Sequence, residues 1–87
     1  MKLMIVIIRD TDDEAVIGEL VQNSYRVTRM ASTGGFLRRG NVTLMIGVEA
    51  EKVPSVMDIL RRVTKPADHE QHRATVFVVD MPFYEQI

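Results

Sequence analysis

The first strand-like segment of this sequence restricts its fold more than any other feature. Residues Leu3–Ile8 form a continuous apolar run, mostly β-branched, between Lys2 and Arg9. Such a run is typical of a strand that is central in a sheet or covered on both faces. A membrane-spanning helix needs about 18 apolar residues, and no small-residue cleavage site of a signal peptide follows the run. The rest of the chain must therefore supply strands that pair with it.

The chain is small and ordinary in composition. It has 87 residues, of which 46% are apolar and 26% charged, with a net charge of −1 and no cysteine. These values predict a single globular domain over residues 1–87. The lack of cysteine excludes a disulfide framework and a thiolate metal site, and it agrees with a reducing, cytoplasmic compartment. The near-neutral charge predicts no general attraction to nucleic acid or to a membrane.

Strand-like and helix-like segments follow one another in a recognisable order. Thr11 and Glu14 have the spacing of a capping box, which predicts a helix start, and Pro66 cannot continue a helix. The predicted elements are a strand over Leu3–Ile8, a helix from Thr11 to Asn23-Ser24, strands over Tyr25–Ser32 and Asn41–Val48, a helix with an apolar face at Val53, Val56, Met57, Leu60 and Val63, and a strand over Ala74–Val79.

The order β-α-β-β-α-β is typical of a ferredoxin-like α+β fold, an antiparallel sheet with both helices on one face. The other face is then either solvated or covered by a partner. A chain of this length buries little of its surface, so we expect a partner subunit to cover that face.

The second and third predicted strands present polar side chains on one face. A hairpin in which Ser32 lies opposite Asn41 puts Arg26 opposite Gly47, with Thr28 on the same face. That face displays a guanidinium, two hydroxyls and an amide, and Gly47 leaves space beside Arg26. Such a surface suits a polar ligand with negative charge. A merely solvated sheet face is the competing interpretation of the pattern.

A loop with three glycines, Thr33–Gly40, joins these two strands. Gly34 and Gly35 permit positive φ and can bring backbone N–H groups to phosphate oxygens. Phe36 has two open roles: it stacks on a nucleobase, or it folds back onto its own protein or a neighbouring subunit. The loop is not a P-loop, because Asn41-Val42 replaces the required Lys-Ser/Thr and a strand follows it.

The sequence contains no complete motif for catalysis, metal binding or RNA binding. His69-Glu-Gln-His72 is one residue shorter than H-E-x-x-H, so its histidines do not share a helix face, and a solvated turn explains it. An RNA-recognition module has the same element order but needs stacking aromatics on its first and third strands, which Leu3–Ile8 and Asn41–Val48 lack. No nucleophile–base–acid set is recognisable. We expect a protein that is not an enzyme and uses no metal or cofactor.

The run Tyr25–Thr43 contains the segment Thr-Gly-Gly-Phe-Leu-Arg-Arg-Gly-Asn and closely resembles the cyclic-di-AMP receptor family, also described as PII-like signalling proteins. Met1–Asp10, Gly47-Val48 and Ala74–Val78 resemble the same family. Its members are homotrimers of a ferredoxin-like subunit that bind the cyclic dinucleotide in clefts between subunits. The resemblance thus implies a cytoplasmic, homotrimeric signal receptor with an unknown downstream protein partner.

The resemblance also implies which residues bind the nucleotide. Those that would line the cleft are Arg26, Thr28, Asn41 and Gly47, with backbone and apolar contacts from Gly35, Phe36 and Leu37. Phosphate would lie near Arg26 and the amides of Gly34 and Gly35. Gln86 matches a family glutamine, although Asp80–Tyr84 before it departs from the family pattern. Strand alternation and glycine spacing indicate the same face and the same loop.

One departure from the family pattern concerns the connection before the last strand. Typical members carry a long glycine-rich loop there, which closes over the ligand, whereas only Thr64–Arg73 is available in this chain. Three consequences are open. The chain binds cyclic-di-AMP weakly, it binds a different nucleotide, or it has become a trimeric protein-interaction module that no longer binds the ligand.

Overall fold

The computed structural model describes residues 1–30, 40–66, 72–83 and 85–87. Its elements are β1 (Lys2–Arg9), α1 (Asp13–Gln22), β2 (Val27–Met30), β3 (Asn41–Val48), a short 3-10 turn (Ala50–Lys52), α2 (Val53–Val63) and β4 (Ala74–Asp80). The predicted order β-α-β-β-α-β is confirmed. The second helix ends before Pro66, as the sequence predicts. No helix in the described ranges is long and apolar enough to cross a membrane.

The four strands form one antiparallel sheet in the order β2-β3-β1-β4. β1 is central: Met4 lies between Ile46 of β3 and Val78 of β4, and Ile8 lies between Val42 and Ala74. The apolar run that begins the sequence is therefore paired on both sides, as predicted. This strand order, with one helix after β1 and another after β3, is the ferredoxin-like α+β fold.

Both helices pack on one face of the sheet and form the core there. Alternate residues of a strand point to the same face, so every second residue of β1 and β3 contributes to this core. The buried apolar side chains are Met4, Val6, Ile8, Val16, Leu20, Val42, Leu44, Ile46, Val48, Val56, Ile59 and Leu60. The predicted apolar face of α2 is confirmed, because Val56 and Leu60 are buried and Val53, Met57 and Val63 pack against them.

The start of α1 differs from the capping box predicted at Thr11. The helix begins at Asp13, its N-cap residue is Asp12, and no side-chain cap hydrogen bond forms. The Asp12 carboxylate instead accepts hydrogen bonds from Nε and Nη2 of Arg9, at 3.1 and 2.9 Å. It also accepts one from the backbone N–H of Lys65, at 3.3 Å. The predicted capping box was wrong because these contacts determine where the helix starts.

Asp12 joins three parts of the fold. Its side chain is 1% exposed and lies where the end of β1, the start of α1 and the segment after α2 meet. The partner, Arg9, is 25% exposed and also donates to the backbone carbonyl of Lys65. A carboxylate that is buried in this way is stable only while its donors stay in place.

Replacing Asp12 by Ala tests this connection. The change removes the acceptor of three hydrogen bonds and leaves Arg9 without its carboxylate. We expect the free energy of unfolding to fall by roughly 2–3 kcal/mol, the range for a lost charged hydrogen-bond partner. Urea unfolding at fixed protein concentration measures it. Asp10→Ala is the matched control, since the exposed Asp10 should change stability by less than about 0.5 kcal/mol. Equal effects of both variants would contradict the assignment.

Candidate functional site

The hairpin of β2 and β3 has the register that was assumed for it from the sequence. Thr28 lies opposite Met45 and Arg29 lies opposite Leu44. Continued by one residue, this register places Arg26 beside Gly47. The predicted pairing of Ser32 with Asn41 lies outside the described residues. The predicted division of the hairpin into two faces therefore holds over Val27–Met30.

Arg29 belongs to the helix side of the hairpin. Its Nε donates to Oδ2 of Asp13 in α1 at 2.7 Å, and its side chain is 46% exposed. This ion pair fastens the short edge strand β2 to the first helix. Arg29 therefore stabilises the fold through this ion pair, and it lies on the face opposite to the predicted ligand-binding residues.

The predicted ligand-binding residues of the strands lie in a row on the helix-free face. Thr28 is exposed, while Asn41 and Gly47 are half-buried. Asn41 and Gly47 are six residues apart on β3, a separation of about 20 Å in an extended strand. The row runs along the hairpin, with Thr28 between its two ends. A ligand that contacts all of it must be elongated or must reach across from a neighbouring subunit.

Arg26 and Gln86, which are 60 residues apart in sequence, are brought together at one end of this row. The Nη1 of Arg26 donates to Oε1 of Gln86 at 2.9 Å. The sequence match that suggested Gln86 thus has a geometric counterpart. Both side chains are exposed, so the contact lies at the surface.

The space over Gly47 is partly filled. A Cβ added at this residue would lie 3.2 Å from the methyl carbon of Met81 and 3.8 Å from that of Met1. The sequence predicts that Gly47 leaves space beside Arg26, and two flexible methionine side chains now reach into that space. A ligand entering here has to move them, which unbranched methionines allow at little cost.

The loop residues of the predicted site, Gly34, Gly35, Phe36 and Leu37, lie outside the described residues. Their roles in binding phosphate or stacking on a base stay predictions. His69 and Glu70 also lie outside. In the part of the chain that the structure describes, no group of three or more His, Asp and Glu side chains is placed to hold a metal ion.

The helix-free face becomes apolar beyond the hairpin. Leu3, Ile5 and Ile7 of β1 are half-buried there, and Phe77 and Val79 of β4 are 52% and 43% exposed. Exposed apolar patches on small proteins mark interaction sites. A partner was expected on this face, but β4 was not identified from the sequence as its most exposed apolar part. The signal is that Phe77 and Val79 are alternate residues of one strand and therefore share a face.

Thr43 adds a polar group to the middle of the face. It alternates with Asn41 and Met45 along β3 and lies opposite Met30 and Ile7. Its residue is 7% exposed, and its hydroxyl has no hydrogen-bond partner among the described residues. A buried hydroxyl without a partner costs free energy. No sequence pattern indicated a role for Thr43.

A groove lies on the helix side of the sheet, away from the polar row of the hairpin. It is wide and open, about 800 Å³ in volume, between α1 and β2. Its lining residues are Asp10, Asp13, Glu14, Ile17, Gly18, Val21 and Arg29. Three carboxylates face a single guanidinium, and that guanidinium already pairs with Asp13. The charge of this groove disfavours an anionic ligand, so its size does not make it the better site.

An ion pair between Lys2 and Asp80 joins two strands of the sheet. The ammonium of Lys2 lies beside the exposed carboxylate of Asp80 and, by hydrogen bond and charge, lowers the pKa of Asp80. It joins the start of β1 to the end of β4. The pair is complete at neutral pH, and it is lost as the pH falls through the lowered pKa of Asp80.

The sequence model of the cyclic-di-AMP receptor family matches residues 1–74. The chain belongs to the cyclic-di-AMP receptor family. The resemblance read from the sequence is confirmed, and the matched range includes the whole hairpin and its glycine-rich loop. The match ends where β4 begins, so the assignment of Gln86 depends on its contact with Arg26.

The structure is also similar to a solved one. It matches the crystal structure of a functionally unknown protein from Pediococcus pentosaceus ATCC 25745 with a TM-score of 0.80 and 32% sequence identity. The match covers 99% of this chain and 96% of the other.

Arg29 in β2 and Arg26, which precedes this strand, should differ in their contribution to the stability of the fold. Arg29→Ala removes the contact with Asp13, and we expect the free energy of unfolding to fall by about 0.5–1 kcal/mol, the range for a half-exposed ion pair. Arg26→Ala removes only a surface contact and should change it by less than about 0.5 kcal/mol. Urea unfolding of both variants measures the difference, and the opposite order would contradict the assigned roles.

Proposed function

We propose that this protein is a signal receptor that binds cyclic-di-AMP, or a related adenine nucleotide, in clefts between the subunits of a homotrimer. The observation that carries the proposal is the position of the family motif. Its residues Thr28, Asn41 and Gly47 share the helix-free face of one hairpin, and Arg26 stands at the end of that row.

The charge of Arg26 supports its role as the phosphate-binding residue. Arg29, the other arginine of the described hairpin, pairs with the carboxylate of Asp13. Arg26 instead hydrogen-bonds to the neutral amide of Gln86. Its positive charge is thus available to an anion, and a guanidinium binds phosphate through charge-assisted hydrogen bonds.

The other predicted site residues would contact the remaining parts of the nucleotide. The hydroxyl of Thr28 and the amide of Asn41 can each hydrogen-bond an adenine edge. The backbone amides of Gly34 and Gly35 would cradle phosphate oxygens, and Phe36 would stack on the base. Binding would order this loop, and the changed surface would be recognised by a downstream protein in the cytoplasm.

A homotrimer accounts for the apolar half of the helix-free face. Phe77 and Val79 are 52% and 43% exposed on that face. A second copy of the chain that covers it would place the neighbouring polar row at the edge of the interface. The ligand would then lie in a cleft between subunits, and a closed ring of identical contacts limits the assembly.

Substitution of Phe77 by Glu tests the assembly. Burying the introduced carboxylate against a second copy of the chain would cost much free energy. The oligomer should therefore dissociate into single chains. Sedimentation equilibrium measures the mass, with three chains expected for the unchanged protein. Phe83→Glu is the matched control, because Phe83 is 78% exposed in the segment after β4. An unchanged mass for Phe77→Glu would contradict this interface.

The second candidate function is a trimeric protein-interaction module that no longer binds cyclic-di-AMP. The short connection favours it: α2 ends at Val63 and β4 begins at Ala74, so only residues 64–73 lie between them. Contacts that a longer loop supplies are then missing. In this case the polar row and the apolar face would bind a protein directly.

Loss of the Arg26 side chain distinguishes the two candidates. If Arg26 binds a phosphate, Arg26→Ala should weaken binding of cyclic-di-AMP by about 1.5–3 kcal/mol, or roughly 10- to 150-fold. Titration calorimetry measures the affinity, and Arg29→Ala, on the other face, should bind as the unchanged protein does. Equal affinity of Arg26→Ala and the unchanged protein would remove the proposed role. No binding of any nucleotide to a verified trimer would favour the interaction module.

A further inference from the structure

The interior of α1 contains a glycine that the packing of this fold does not explain. Gly18 is exposed and lies in the middle of Asp13–Gln22, where glycine destabilises a helix relative to alanine. A Cβ built onto Gly18 would have open space around it, because no atom of the residues that the structure covers lies within 4 Å. A residue that weakens its own element without a packing reason is expected at a functional site.

Gly18 forms part of the floor of the groove between α1 and β2. Ile17 packs against the core from this floor, and Val21, one helical turn further along, is 58% exposed. Because Gly18 has no side chain, the backbone of another chain can come close to α1 between these two apolar residues. The groove thus combines an apolar floor with room for a second helix.

The rim of the groove is acidic. Asp10 and Glu14 are exposed, whereas Asp13 pairs with Arg29, so three carboxylates and one guanidinium give the lining a net charge of −2. Carboxylates at the start of a helix are ordinary by themselves, since they complement the helix dipole. Here they border an exposed apolar floor. That combination fits a helix whose apolar residues are flanked by lysine or arginine.

We propose that the groove between α1 and β2 is a docking surface for an amphipathic, basic helix of a partner protein. Apolar side chains of this helix would contact Ile17 and Val21, and its backbone would approach Gly18. Its cations would face Asp10 and Glu14.

The groove adjoins the predicted nucleotide site through β2. This strand carries Thr28 in the polar row on one face and Arg29 in the wall of the groove on the other. A shift of β2 on nucleotide binding would therefore change the groove as well, which suits the downstream partner of the proposed function. Only this link rests on the proposed function, because the docking itself requires no nucleotide.

Titration with two synthetic peptides, without nucleotide and at low salt, tests the docking surface. One peptide has leucines at three- and four-residue spacing with lysines between them, and the other has glutamates in place of the lysines. Amide chemical-shift mapping should show saturable shifts at Ile17, Gly18 and Val21 with the lysine peptide and none with the glutamate peptide. No saturable binding of the lysine peptide, equal binding of both, or shifts centred elsewhere on the protein would overturn the proposal.

Two variants and their controls test the contacts. Gly18→Leu fills the space over α1 and should weaken binding of the lysine peptide at least about fivefold. Ala15→Leu adds a leucine at an exposed position of α1 outside the groove and should leave binding unchanged. Glu14→Lys should weaken binding about three- to tenfold, and added salt should reduce this difference. Glu51→Lys makes the same charge change at an exposed site away from the groove and should have less than about a twofold effect.

Gly18→Leu also separates this proposal from the proposed function. Its affinity for cyclic-di-AMP should equal that of the unchanged protein, and its Tm should not fall, because leucine is the better helix former and the space is open. If the lysine peptide binds in the groove while no nucleotide binds, the docking surface stands and the receptor function fails. Unchanged peptide binding by Gly18→Leu, or a lower Tm, would overturn the docking proposal whatever the nucleotide does.

Discussion

The pairing of β1 on both sides is the interaction on which the rest of the structure depends. β3 and β4 flank it in antiparallel register, which satisfies its backbone groups in the middle of the sheet. Its alternate side chains then serve two surfaces. Met4, Val6 and Ile8 anchor the core under the helices, and Leu3, Ile5 and Ile7 make the other face apolar. The strand thus stabilises one layer and leaves an apolar surface on the other side of the sheet.

Alternation also separates the roles of two arginines that are three residues apart. Arg29 faces the helices and pairs with Asp13, while Arg26 lies at the end of the polar row and contacts a neutral amide. The polar row borders the apolar surface of β1 and β4. In the proposed trimer, a ligand that binds at this border would contact the hairpin on one side and a second subunit on the other.

Much of this architecture could be predicted from local pattern. The strand at Leu3–Ile8 and the helix face of Val56 and Leu60 could be recognised from the apolar pattern, whereas the register of the hairpin had to be assumed. The start of α1 could not be predicted, because Asp12 is engaged by Lys65, which is 53 residues away. The contact between Arg26 and Gln86 spans 60 residues and leaves no periodic signal. The glycine spacing of the loop indicates a ligand but determines no position for Phe36.

The account's central claim is that nucleotide binds on the helix-free face of the hairpin. Amide chemical-shift mapping of the verified trimer with cyclic-di-AMP tests it most directly. The account predicts the largest shifts along the row formed by Thr28, Asn41 and Gly47, with small shifts at Asp13 and Ile17 in the groove beside α1. Saturable shifts confined to that groove, with the hairpin row unchanged, would contradict the claim.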